Sequence, residues 1–77
     1  MVNNSIRKND FILNVRLSGA TLYVGQYPLR KGPATKRTLD LKSCTEAELA
    51  AVKWAVENRP ELFASSDLDA VVQAFRR

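Results

Sequence analysis

Phe11-Ile12-Leu13-Asn14-Val15-Arg16-Leu17-Ser18-Gly19-Ala20-Thr21-Leu22-Tyr23-Val24-Gly25-Gln26-Tyr27 is the stretch whose reading decides the fold. Phe11, Leu13, Val15 and Leu17 recur at every second position, with Ile12, Asn14, Arg16 and Ser18 between them. A period of two is that of a strand with one face buried, and it predicts a strand over residues 10–18. Gly19 at the first central position of Ser18-Gly19-Ala20-Thr21 suits a type II′ turn, whose twist matches a hairpin. A second strand then runs over residues 21–27. It puts Leu22 and Val24 on the core face and Tyr23, Gly25 and Tyr27 on the other.

Working outward, Pro28 lacks a ladder donor and ends this strand or confines it to an edge. Pro28-Leu29-Arg30-Lys31-Gly32-Pro33-Ala34-Thr35-Lys36 reads as a loop, punctuated by the Gly-Pro pair. A third strand is expected at residues 37–42, with Leu39 and Leu41 inward and Thr38, Asp40 and Lys42 outward. On the N-terminal side, residues 1–9 (Met1-Val2-Asn3-Asn4-Ser5-Ile6-Arg7-Lys8-Asn9) read as a polar arm, free or laid along a partner.

Beyond the third strand the period changes. Thr45-Glu46-Ala47-Glu48 is a capping box, and both glutamates suit the positive end of a helix dipole. A helix is expected over residues 46–58, stopped by Arg59-Pro60 because a residue before proline resists the helical region. Pro60-Glu61-Leu62-Phe63 suits one short extra turn. Ser65-Ser66-Asp67 then offers N-cap residues to a last helix whose Leu68, Val71, Val72 and Phe75 form a stripe. Arg76 and Arg77 suit its C-terminal end. The fold class is therefore α+β: a three-stranded antiparallel sheet packed on one face by a helix, followed by a short C-terminal helix. Residues 10–77 make a single domain.

The first helix has two apolar sides. Leu49, Val52 and Val56 form one, and Ala47, Ala50, Ala51 and Trp54 form the other. Such a helix packs between two layers. Trp54 is thus either buried under the C-terminal helix or an anchor for a protein partner, a second copy included.

Composition narrows the chemistry. The chain has 77 residues, 45% of them hydrophobic, with one cysteine and no histidine. The length fits one domain, and Cys44 has no partner for an internal disulfide. Cys44 reads as a small residue at a strand–helix junction, with a reactive thiol as the other reading. Without histidine the commonest general base and the commonest metal ligand are both missing. No phosphate-cradling glycine loop is present. Asp10 and Asp40 could in principle be paired carboxylates, but both are expected at solvated positions. The sequence points to a non-enzymatic protein with no cofactor and no metal. No apolar run approaches the roughly 20 residues of a membrane span, and residues 1–10 lack the apolar block of a signal peptide. A cytoplasmic location without membrane contact is expected.

Net charge is +4, unevenly spread. Residues 1–43 hold eight Lys and Arg against two acids, and residues 44–77 hold four against six. A basic first half suggests a polyanionic partner. The expected open sheet face carries Arg16, Tyr23, Tyr27 and Lys42, with Asn14, Ile12 and Thr38 among them. The loop adds Arg30, Lys31, Lys36 and Arg37. Basic residues interleaved with tyrosines suit nucleic acid, DNA or RNA, through phosphate contacts and base stacking. The same residues also suit the wet face of any one-sided sheet.

Three antiparallel strands followed by a packing helix, over about residues 11–58, resemble the DNA-binding domains of phage-type integrases and of APETALA-type plant factors. The resemblance rests on element order and charge, and it implies a sheet that enters the major groove. The alternative expectation is a protein-interaction module: a phage or mobile-element inhibitor, an adaptor, or a virion structural component within a larger protein assembly. Such a module would act through an edge strand, the N-terminal arm or Trp54.

Overall fold

The alternation seen in the sequence builds one antiparallel sheet of four strands, in the order β1-β2-β3-β4. The structure, a computed structural model, describes residues 2–75. The strands are β1 (Val2–Arg7), β2 (Phe11–Ser18), β3 (Thr21–Pro28) and β4 (Thr35–Asp40). Helix α1 (Glu46–Asn58), a 3-10 helix (Pro60–Ala64) and helix α2 (Leu68–Gln73) follow. The class is α+β as expected, but the sheet has four strands, not three.

The added strand is β1. Residues 2–7, expected to belong to a polar arm, free or laid along a partner, instead pair with β2 from Val2↔Leu17 to Arg7↔Ile12. Val2, Asn4 and Ile6 face the helices. Asn4 interrupts the apolar alternation, which hid the strand, and its own side chain supplies the reason. The Asn4 Nδ2 donates to the carbonyls of Val56 (3.0 Å) and Glu57 (3.1 Å), at the end of α1. Those carbonyls have no partner within the helix, so a polar residue at the centre of β1 fastens the strand to it.

The hairpin between β2 and β3 has the expected turn. Ser18 pairs with Thr21, and Gly19 has φ +59°. No described non-glycine residue has positive φ. Positive φ at the first central residue alone is the type II′ signature.

β4 starts two residues earlier than expected and ends at Asp40, so the loop shortens to residues 29–34. The parity is unchanged. Leu39 faces the helices opposite Leu22, and Arg37 does so opposite Val24. Leu41 is buried just past the strand, while Lys42 is exposed in the turn that follows.

The core lies between this face and the helices. Leu13, Val15, Leu17, Leu22 and Val24 meet Val52, Ala55 and Val56 of α1, Phe63 of the 3-10 helix, and Leu68 and Val72 of α2. Phe63 is the largest fully buried side chain. The capping box forms as the sequence predicts: Glu48 N donates to Thr45 Oγ1 (3.1 Å) and Thr45 N to Glu48 Oε1 (2.7 Å). Asp67 is the residue that caps α2, accepting from Ala70 N at 3.1 Å. The expectation for Arg76 and Arg77 lies outside the described residues.

Candidate nucleic-acid interface

All helices pack on one side of the sheet, which leaves the other side open. Strand register fixes what that side displays. Arg7, Ile12 and Tyr27 lie across from one another in one row. Ser5, Asn14, Gly25 and Lys36 form the next, and Asn3, Arg16, Tyr23 and Thr38 the one after. Directly opposed side chains in such rows stand close enough to touch.

A shallow depression of about 270 Å³ lies in the middle of this face, lined by Arg16, Tyr23, Gly25, Tyr27, Lys36 and Thr38 among others. Its two tyrosines are not equivalent. The Arg16 guanidinium carbon sits 4.4 Å from the centre of the Tyr23 ring, a cation–π contact that occupies Tyr23. Tyr27 leans back along β3 onto Gly25. A Cβ at position 25 would stand only 2.8–3.0 Å from its Cε2, Oη and Cζ atoms. Glycine is therefore what lets the ring settle on the strand. Gly25 is buried, whereas Tyr27 keeps 38% of its surface exposed.

The exposed apolar surface continues from that ring. Ile12, directly across from Tyr27, is also 38% exposed, and Leu29 just beyond β3 is exposed as well. Asn14 is held on the β1 side, its Nδ2 donating to Asn3 Oδ1 (2.8 Å) and Ser5 Oγ (2.8 Å).

The basic residues expected at this site do not all gather there. Arg16 and Lys36 border the depression, and Arg37 also lines it although its guanidinium bonds on the other side. Arg30 and Lys31 are exposed in the 29–34 loop, at the Tyr27 end of the sheet. Lys42 is at the opposite end, past β4. Arg37 belongs to the other face: its Nη1 and Nη2 donate to the Ser66 and Ser65 carbonyls, both at 2.8 Å. The alternation that turns Leu39 toward the helices turns Arg37 the same way, and its fork binds the chain between the 3-10 helix and α2. Arg37, expected among the basic residues of the loop, is thus turned to the helix side, where it ties two segments of the chain together.

Arg7, expected in the polar arm, is carried by β1 onto the open face. It shares a hollow with Arg30, alongside the acidic Asp10. The signal was partial: Val2 and Ile6 alternate with Asn3, Ser5 and Arg7, but the polar Asn4 breaks the apolar side.

Trp54 is not buried by α2. It stands 54% exposed, on the outward side of α1 with Ala47 and Ala50. Helix α2 packs on the 3-10 helix instead. Asp10 and Asp40 are set far apart, at opposite ends of the sheet, about 25 Å by strand rise. They do not form a carboxylate pair. Cys44 is a half-buried free thiol packed against the core. Among the described residues no helix is long and apolar enough to cross a membrane.

No known protein family, curated protein or solved structure matches this chain.

Proposed function

We propose that this protein is a non-enzymatic nucleic-acid-binding protein and that the open sheet face is its binding surface. The observation that carries the reading is the strand register. It groups Arg16, Tyr23, Tyr27 and Lys36 around one depression, on a face no helix covers. Cations there neutralise phosphates, and exposed aromatic surface takes bases or sugars. Arg7, Arg30 and Lys31 extend the positive charge at the Tyr27 end.

Fluorescence anisotropy with labelled oligonucleotides tests this at about 50 and about 200 mM salt, a range over which phosphate contacts weaken steeply. Binding that falls with salt and is lost in a Lys36→Glu, Arg16→Glu double variant is the expected result. A chain that binds no oligonucleotide at the lower salt, while fully folded, defeats the reading.

A second reading has its own observation, the exposure of Trp54 on an alanine-flanked helix face. Aromatic anchors of this kind are enriched at protein interfaces. Trp54→Ser should then abolish capture of a protein partner, or self-association in sedimentation, while shifting the melting temperature by no more than about 4 °C, as expected of a mostly surface change in a domain this small. Unchanged association in that variant removes Trp54 from any interface.

A further inference from the structure

We infer that the ligand of the open face is a single strand, with one unpaired base stacked on Tyr27. The inference rests on the nucleic-acid reading above and deepens it. It starts from the width of the sheet. Four strands spaced about 4.8 Å apart span roughly 14 Å between the edge backbones, before side chains are added. The major groove of duplex DNA is about 12 Å wide and admits a helix or a two-stranded ribbon. A three-stranded sheet would be narrower by one strand, and β1 is the difference.

Tyr23, Tyr27 and Arg16 sit on the two inner strands, β3 and β2. They occupy the middle of a surface too broad to enter the groove, so paired base edges stay out of their reach. An unpaired strand has no such restriction, because its bases can turn outward onto a flat support.

The support is built for one base in particular. Tyr27 rests on Gly25, which fixes the ring on the sheet and leaves its outer side to solvent. Ile12 and Leu29 continue the apolar area around it. The cations surround the ring without covering it: Lys36 opposite Gly25, Arg7 opposite Ile12, and Arg30 beside Arg7. Tyr23 already carries the Arg16 guanidinium, whose plane offers a second stacking surface next to the first. An apolar floor with a basic rim matches a chain whose bases face inward and whose phosphates run along the edge.

The test compares four labelled 12-mers of one mixed sequence: single-stranded RNA, single-stranded DNA and the two corresponding duplexes. Both single strands should bind at least tenfold tighter than either duplex, and the RNA and DNA arms show which sugar is preferred. Tyr27→Ala should lose about five- to 150-fold in single-strand affinity, the usual value of one stacked base, while Tyr27→Trp retains it. Gly25→Ala, which keeps the tyrosine but crowds its seat, should weaken single-strand binding too, and it reads the site if Tyr27→Ala fails to fold. Duplexes bound as tightly as single strands, or Tyr27→Ala within twofold of the parent, would overturn the inference and leave the nucleic-acid reading standing. Failure of the folded parent to bind any of the four removes that reading, and the inference with it.

Discussion

Lys36 and Arg37 are neighbours in the chain and face opposite sides of the sheet, so replacing each with alanine should separate binding from stability. Lys36→Ala removes one cation from the rim of the depression. Against a single strand, the slope of log affinity on log salt should become shallower by about 0.7, the value of one phosphate contact. Its stability should stay within about 0.5 kcal/mol of the parent, as for most exposed substitutions. Arg37→Ala should do the reverse. It loses two 2.8 Å hydrogen bonds from a charged group to the Ser65 and Ser66 carbonyls. Such bonds contribute about 1.5–3 kcal/mol each at best. These are exposed to water, which competes for both partners, so a net loss of about 1–2 kcal/mol is the reasonable figure. In a domain of this size each kcal/mol moves the melting temperature by roughly 4–8 °C. Arg37→Ala should therefore melt about 9 °C lower by circular dichroism, with its salt slope unchanged when binding is measured well below that transition. Equal slopes lost in both variants, with Arg37→Ala melting like the parent, would refute the reasoning. They would mean that β4 is shifted by one residue, because such a slip exchanges the two faces.

Three further outcomes concern stability. Asn4→Ala removes both bonds from β1 to the end of α1, and should cost about 1–2 kcal/mol, read as a lower denaturation midpoint in urea. Gly19→Ala forces an L residue to hold φ +59° and should destabilise by about 1–2 kcal/mol, seen in the same urea titration, although a Cβ there meets nothing nearby. The Glu61 carboxyl is held below its ordinary value of 4.5, first by a hydrogen bond from its own backbone, then by the Arg59 side chain at 2.9 Å, with burial opposing. A lowered folded-state value means stability present above the unfolded value and lost as pH falls through the folded one. The melting difference between the parent and Glu61→Gln should thus shrink as pH drops below about 4.5.

The sequence made most of the scaffold legible because the responsible residues act locally. The II′ turn needs only Gly19, the capping box only Thr45 and Glu48, and the β2–β3 faces only their alternation. What stayed hidden depends on contacts distant in sequence. Asn4 looks like a break in an apolar pattern until the α1 carbonyls, more than fifty residues away, are placed beside it. Arg37, at the boundary between the expected loop and strand, looks like one more basic loop residue until the strand is known to begin at Thr35. Both are polar residues on the core-facing side, where helix ends and turns need donors, and binary patterning alone assigns such residues to solvent. Of the candidate site, the alternation showed that Arg16, Tyr23 and Tyr27 share a face. That Tyr27 rests on Gly25 while Tyr23 holds Arg16 is a matter of side-chain packing, which alternation does not encode.

The order of the strands in the sheet is their order in the chain, and this bears on how the protein reaches its shape. Each strand pairs only with its sequence neighbours, so the ladder can zip outward from the Gly19–Ala20 turn with small loop-closure cost at each step. β1 is the exception in one respect. Its backbone pairing with β2 is local, but its fastening through Asn4 waits until α1 has docked. Edge strand β1 is thus held twice, locally by its ladder with β2 and across more than fifty residues by Asn4 at the end of α1.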